Sequence, residues 1–138
     1  MFDWQPNRSM SAATVIPELA YPDVLAASEW LCRVFGFTER LRIGDHRVQL
    51  TVGNGAVIVT QGKPGQGPDN THSLLVRVAD VDRHYEQAKA QGAKILQEPA
   101  TFMYGERQYN TADPGGHVWT FSQTVANIDP AEWGGVLA

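Results

Sequence analysis

The chain says the same thing twice. PDVLAASEWLCRVFGF at 22–37 and ADVDRHYEQAKAQGAK at 79–94 occupy equivalent places in two similar units. Each unit opens with a short apolar strand and reaches an Asp able to cap a helix, Asp23 or Asp80. It then runs about three helical turns to Gly36 or Gly92 and continues in alternating strands. A βαβββ unit cannot close a core alone, so two must pair, and the surface between them is the expected place for function. The pattern predicts an α+β fold of paired βαβββ modules, at about 14–61 and 72–125, forming a curved mixed sheet around a cup-shaped cavity. Residues 1–13 read as a loose arm in which Trp4 can tuck against the domain or a partner, 14–125 as one domain, and 126–138 as a tail.

The strand candidates follow from turn signals. In the first unit they are TVIPELAY, then FTERLRI, HRVQLTV after Gly44-Asp45, and AVIVTQ after Gly53-Asn54-Gly55. QGKPGQGPDNT at 61–71 is linker-like and falls where the units join. The second unit supplies HSLLVRV, AKILQ, ERQYNTA and, after the Asp113-Pro114-Gly115-Gly116 turn, HVWTFSQ.

The period of two assigns faces. Val48, Leu50 and Val52 oppose Arg47, Gln49 and Thr51; Leu74, Val76 and Val78 oppose Ser73, Leu75 and Arg77; Trp119 and Phe121 oppose Val118, Thr120 and Ser122. The apolar faces suit packing on the helices, with Ala27, Leu31, Val34 and Phe35 as the stripe of the first helix. The mixed faces make poor sealed cores and suit solvent or a ligand cup.

At 138 residues the chain can bury a core without disulfides. Its net charge is −4 with basic residues scattered, which argues against nucleic acid or a membrane surface as partner. The single Cys32, inside the first helical pattern, reads as a buried, inert thiol. Residues 1–13 carry no apolar run with a cleavage pattern, and no segment approaches membrane-spanning length, so a soluble cytoplasmic protein is expected. There is no phosphate-cradling loop, nucleophile elbow or paired-Cys motif.

The paired units, the WLCRVFGF stretch, VADVDRHYEQAKAQGAKI and the closing YGERQYNTADPGGHVWTF resemble the vicinal oxygen chelate superfamily, above all its glyoxalase and bleomycin-resistance-like proteins. The likeness covers residues 14 to about 125 and implies a homodimer with U-shaped cavities. It also implies a divalent metal held by His, Gln or Glu at three places: seven residues before each helix-opening Asp, and four after the last Gly of the turn. Here those places hold Ile16, Ser73 and Thr120, which do not suit an open catalytic site. No metal or other cofactor is therefore expected. His72 reaches the second place only by a one-residue slip that turns Leu74, Val76 and Val78 away from the helix. His117 reads as structural, and His46 and His84 as solvated.

Glu18 shares a face with Ile16 and Ala20 and is expected to look into the cup, where burial raises a carboxylate toward use as a general base; an exposed or ion-paired Glu18 is the alternative. Arg107 can grip a ligand carboxylate or phenolate, or pair with Glu18 or Glu106. Tyr104 and Tyr109 can stack on a flat ligand or pack within the loop. Gln49, Ser73 and Thr120 are neutral groups suited to orienting it. Two functions remain: metal-independent binding of a small aromatic or amphipathic molecule, as the bleomycin-resistance likeness implies, or a lyase, isomerase or cyclase using Glu18 as base. Trp133 in the tail can cover a cavity mouth, a partner chain or its own chain.

Overall fold

The computed structural model describes residues 1–63 and 72–137; the expected linker lies, from residue 64 onward, outside them. The chain divides into two compact units, Met1–Gly67 with Pro114–Gly116, and Pro68–Asp113 with His117–Ala138. Among the described residues each contains one four-stranded mixed sheet and one α-helix, the second adding a short 3-10 helix at Pro130–Trp133, so the α+β expectation and the doubled unit both hold.

The first unit runs β1 (Glu18–Tyr21), α1 (Val24–Phe35), β2 (Thr38–Ile43), β3 (Arg47–Val52) and β4 (Gly55–Gln61), with sheet order β1-β4-β3-β2. β1 lies parallel to β4 and the remaining pairs are antiparallel. Asp23 caps α1 by accepting from the Ala26 amide at 3.0 Å, and Gly36, at φ +82°, closes it by donating to the Cys32 carbonyl. The predicted stripe Ala27, Leu31, Val34 and Phe35 is buried, together with Val48, Leu50, Val57 and Val59 from the sheet. β1 is shorter than expected. Pro17 has no amide to give the ladder; only its carbonyl takes part, accepting from the Ile58 amide at 2.9 Å.

The second unit repeats the order with β5 (Leu74–Arg77), α2 (Val81–Ala90), β6 (Lys94–Thr101), β7 (Glu106–Ala112) and β8 (Val118–Thr124), arranged β5-β8-β7-β6. Asp80 caps α2 through the Arg83 amide at 3.1 Å. β6 continues four residues past the expected Gln97 and crosses Pro99, which a register break between Gln97 and Ala100 on this edge strand accommodates. Tyr109, Trp119 and Phe121 are fully buried with Val81 and Ala88 of α2. β5 pairs Leu74 with Trp119 and Val76 with Phe121, so the strand keeps the expected register and the slip that would rescue His72 does not occur.

The Asp113-Pro-Gly-Gly turn is explained by folding. The Asp113 carboxylate accepts from the His117 amide at 3.0 Å and from the Trp119 indole at 2.9 Å, tying the turn to the largest core side chain. No helix among the described residues is long and apolar enough to cross a membrane.

Candidate functional site

The arm is fastened to the first unit at a few points and lines a cavity there. The Trp4 indole donates to the Thr14 hydroxyl at 3.0 Å, closing residues 4–14 into a loop. That loop is fastened to the face of the sheet opposite α1. β2 carries an irregularity between Glu39 and Leu41, and Arg40, the extra residue, is re-aimed by it. Its guanidinium donates to Gln49 Oε1 at 2.6 Å and to the Arg8 carbonyl at 2.7 Å, while Gln49 Nε2 donates to the Ser9 carbonyl at 2.8 Å. Gln49 is thereby only 2 % exposed, and Ile58, its register partner, is buried too.

Residues of the 4–16 segment, together with Arg40 of β2, line a cavity of about 550 Å³. Trp4, Pro6, Met10 and Ile16 give it apolar walls; Ser11 and Arg40 are its notable polar members. Ser11 Oγ is the one buried side-chain polar atom without a hydrogen-bond partner among the described residues. Sequence reasoning missed this site because the arm has no period to read; the available signals were Trp4 and Met10 in an otherwise polar stretch.

Several sequence candidates lie elsewhere. Glu18 is about half exposed and paired with Arg47 at 2.5 Å, which is the ion-pair alternative and removes the expected desolvated base. Gln49 is committed to the arm. Tyr109 is fully buried on the α2 side of β7, its hydroxyl 2.6 Å from His84 Nδ1, so it offers no ring to a ligand, and burial pushes its phenol up. His84 is correspondingly not solvated; its ring also lies 4.1 Å from that of Phe121. Arg107 shares Tyr109's face and closes on Asp82 at 3.0–3.1 Å, with a further bond to Thr101. It pairs with neither Glu18 nor Glu106.

Tyr104 is partly exposed, stacked on Phe102 with centroids 5.5 Å apart and met edge-on by Trp133 at 5.7 Å. The Trp133 tail thus packs on its own loop. Ser73 is exposed. Thr120 donates to Asn110 at 2.9 Å within a ladder in which Gln108 donates to Ser122 and Ser122 to Glu106. That ladder lies on β7 and β8, on the face of the second sheet opposite α2. Cys32 is partly buried; burial pushes its thiol up and nearby Glu39 adds to the effect, the opposite of activation.

The three places that the family likeness assigns to metal ligands hold an aliphatic side chain, an exposed hydroxyl and a hydroxyl already bonded to Asn110. Among the described residues no three His, Cys, Asp or Glu side chains converge, although the rings of His72 and His117 lie 6.1 Å apart. The donor set does not fit the superfamily's divalent ion.

Comparison with known proteins gives a consistent picture. The profile of the Glyoxalase/Bleomycin resistance protein/Dioxygenase superfamily matches residues 13–121. TioX from Micromonospora sp. ML1 is 36% identical, with 79% of this chain and 96% of that one covered and a TM-score of 0.69. A glyoxalase/bleomycin resistance protein/dioxygenase family enzyme from Burkholderia phytofirmans PsJN is 21% identical over 82% and 99% of the two chains, TM-score 0.69. The fosfomycin resistance protein FosX from Listeria monocytogenes, solved with Mn(II) and a dihydroxypropylphosphonic acid, is 17% identical over 81% and 89%, TM-score 0.67. The last two likenesses concern fold alone. No curated protein sequence matches.

Proposed function

The chain belongs to the glyoxalase/bleomycin resistance protein/dioxygenase superfamily, and within it we propose that it is a metal-independent binding protein that sequesters a small aromatic or amphipathic molecule. The observation that carries this reading is the cavity under the arm. Its volume of about 550 Å³ falls in the range of small-molecule sites, and its lining combines apolar walls with a few polar groups. In this reading the protein works as a cytoplasmic homodimer of the antibiotic-resistance kind, removing its ligand from solution without changing it.

The lyase, isomerase or cyclase alternative needs Glu18 as a base. The Glu18 carboxylate is about half exposed and is taken up by the Arg47 guanidinium. Among the described residues, none that lines the cavity carries a carboxylate, imidazole or thiol.

Calorimetric titration with flat aromatic probes, metal analysis of the purified protein, and mass spectrometry of the recovered probe test the proposal together. The expected result is saturable binding, no stoichiometric transition metal, and a probe recovered unchanged. Glu18→Gln is expected to retain its affinity. One zinc, nickel, manganese or iron bound per chain overturns metal independence. A probe transformed by wild type and not by Glu18→Gln replaces sequestration with the enzymatic alternative.

A further inference from the structure

Resting on that binding function, we propose that the cavity under the arm selects an anion: a flat aromatic molecule bearing a carboxylate or phenolate, gripped by the Arg40 guanidinium and the Ser11 hydroxyl and laid against Trp4. The charge pattern is the first argument. Arg8 and Arg40 line the cavity, and among the described residues no Asp or Glu does. Elsewhere the arginine ion pairs are Arg33 with Glu29, Arg42 with Glu39, Arg47 with Glu18 and Arg107 with Asp82. Among the described residues neither Arg8 nor Arg40 has such a partner. In a chain of net charge −4, two uncompensated guanidiniums at one cavity make a local positive potential.

Arg40 is also held ready. Its two hydrogen bonds go to neutral oxygens, the Gln49 amide and the Arg8 carbonyl, so its position is fixed while its charge stays uncompensated. A guanidinium has five N–H donors, and three remain beyond those bonds. Ser11 points independently to the same kind of ligand. The residue is 8 % exposed, lines the same cavity, and its Oγ has no partner among the described residues. A buried hydroxyl without a partner is destabilising, and a carboxylate or phenolate oxygen is the acceptor it lacks. Trp4, whose indole nitrogen is already tied to Thr14, has its ring orientation set and supplies the apolar face. A cation would meet two like charges here, and a neutral ligand would leave both uncompensated.

The experiment is calorimetric titration of the full-length protein with naphthoate and with its neutral isostere naphthamide, at low and high salt. Wild type is expected to bind naphthoate about tenfold tighter at low salt, with the gap narrowing as salt rises. Arg40→Met brings the two affinities to within about twofold. Because Arg40 also anchors the arm, Arg8→Met serves as the second variant: it keeps both Arg40 bonds and is expected to lose part of the preference. Ser11→Ala is expected to weaken naphthoate about fivefold while leaving the thermal midpoint unchanged or raised, a combination that a purely structural serine does not give. Equal wild-type affinity for the two probes overturns anion selection and leaves the binding function standing. A preference undiminished in both arginine variants overturns the assignment to this cavity. Failure of both probes to bind at millimolar concentration removes the binding function and this inference with it.

Discussion

Tyr109 lies between Gln108 and Asn110, whose side chains join the polar ladder of the second sheet, so the period of two puts its ring on the α2 side. Reading it instead as part of an aromatic loop with Tyr104 ignored that alternation, and the structure buries it completely. The same rule predicted correctly that Gln49 opposes Val48 and Leu50. It could not say what Gln49 touches, because its partners Arg40 and Ser9 depend on a strand irregularity and on a segment without period. Tyr109 allows a pH prediction. Burial pushes its phenol above the ordinary 10.0, so the folded chain keeps a proton that the unfolded chain releases. Stability is therefore full below about pH 10 and declines as pH rises past it. Urea unfolding at pH steps between about 9 and 12 is expected to show that decline, and Tyr109→Phe to remove part of it at a cost of about 1 kcal/mol near neutral pH from the lost bond to His84. An unchanged slope in the variant would assign the decline to another group.

At the scale of elements, the caps and stops were the most legible part of the sequence. Asp23, Asp80, Gly36 and Gly92 each occupy a helix boundary, because capping is local chemistry that a short window contains. The ends of β1 and β6 were less legible, since whether Pro17 and Pro99 fit a ladder depends on which edge is free. The tail was the least legible. Its attachment runs through Gly105, whose carbonyl accepts from the amides of Val125 and Ala126 and whose φ is +83°. A Cβ at this position would strike the Ala126 carbonyl oxygen and come within 3.0 Å of Ile128. Gly105→Ala therefore meets both an unfavourable backbone conformation and main chain that cannot step aside. The expected loss is about 2 kcal/mol or more by chemical denaturation, with limited proteolysis newly cutting within 125–137. A variant as stable and as protease-resistant as wild type would show that the tail is not anchored there.

At the scale of the whole molecule, the doubled βαβββ order was legible because it rests on two periodicities that recur, whereas the cavity was not, because its wall is a loop of unique sequence fastened by Arg40 and Gln49. That origin bears on stoichiometry. Every described residue lining the cavity, from Trp4 to Arg40, comes from one unit of one chain, so each chain should bind its own ligand whatever its partner does. The family likeness implies a twofold dimer, in which the two sites are equivalent by symmetry. Sedimentation at micromolar concentration is expected to give twice the 15.2 kDa chain mass, and titration to give one naphthoate per chain with a single affinity. A monomer mass would remove the dimer but leave the stoichiometry intact. One naphthoate per two chains would have the opposite meaning: a ligand shared on the twofold axis cannot sit in a cavity that a single chain completes, and the binding site would then have to be sought away from the arm.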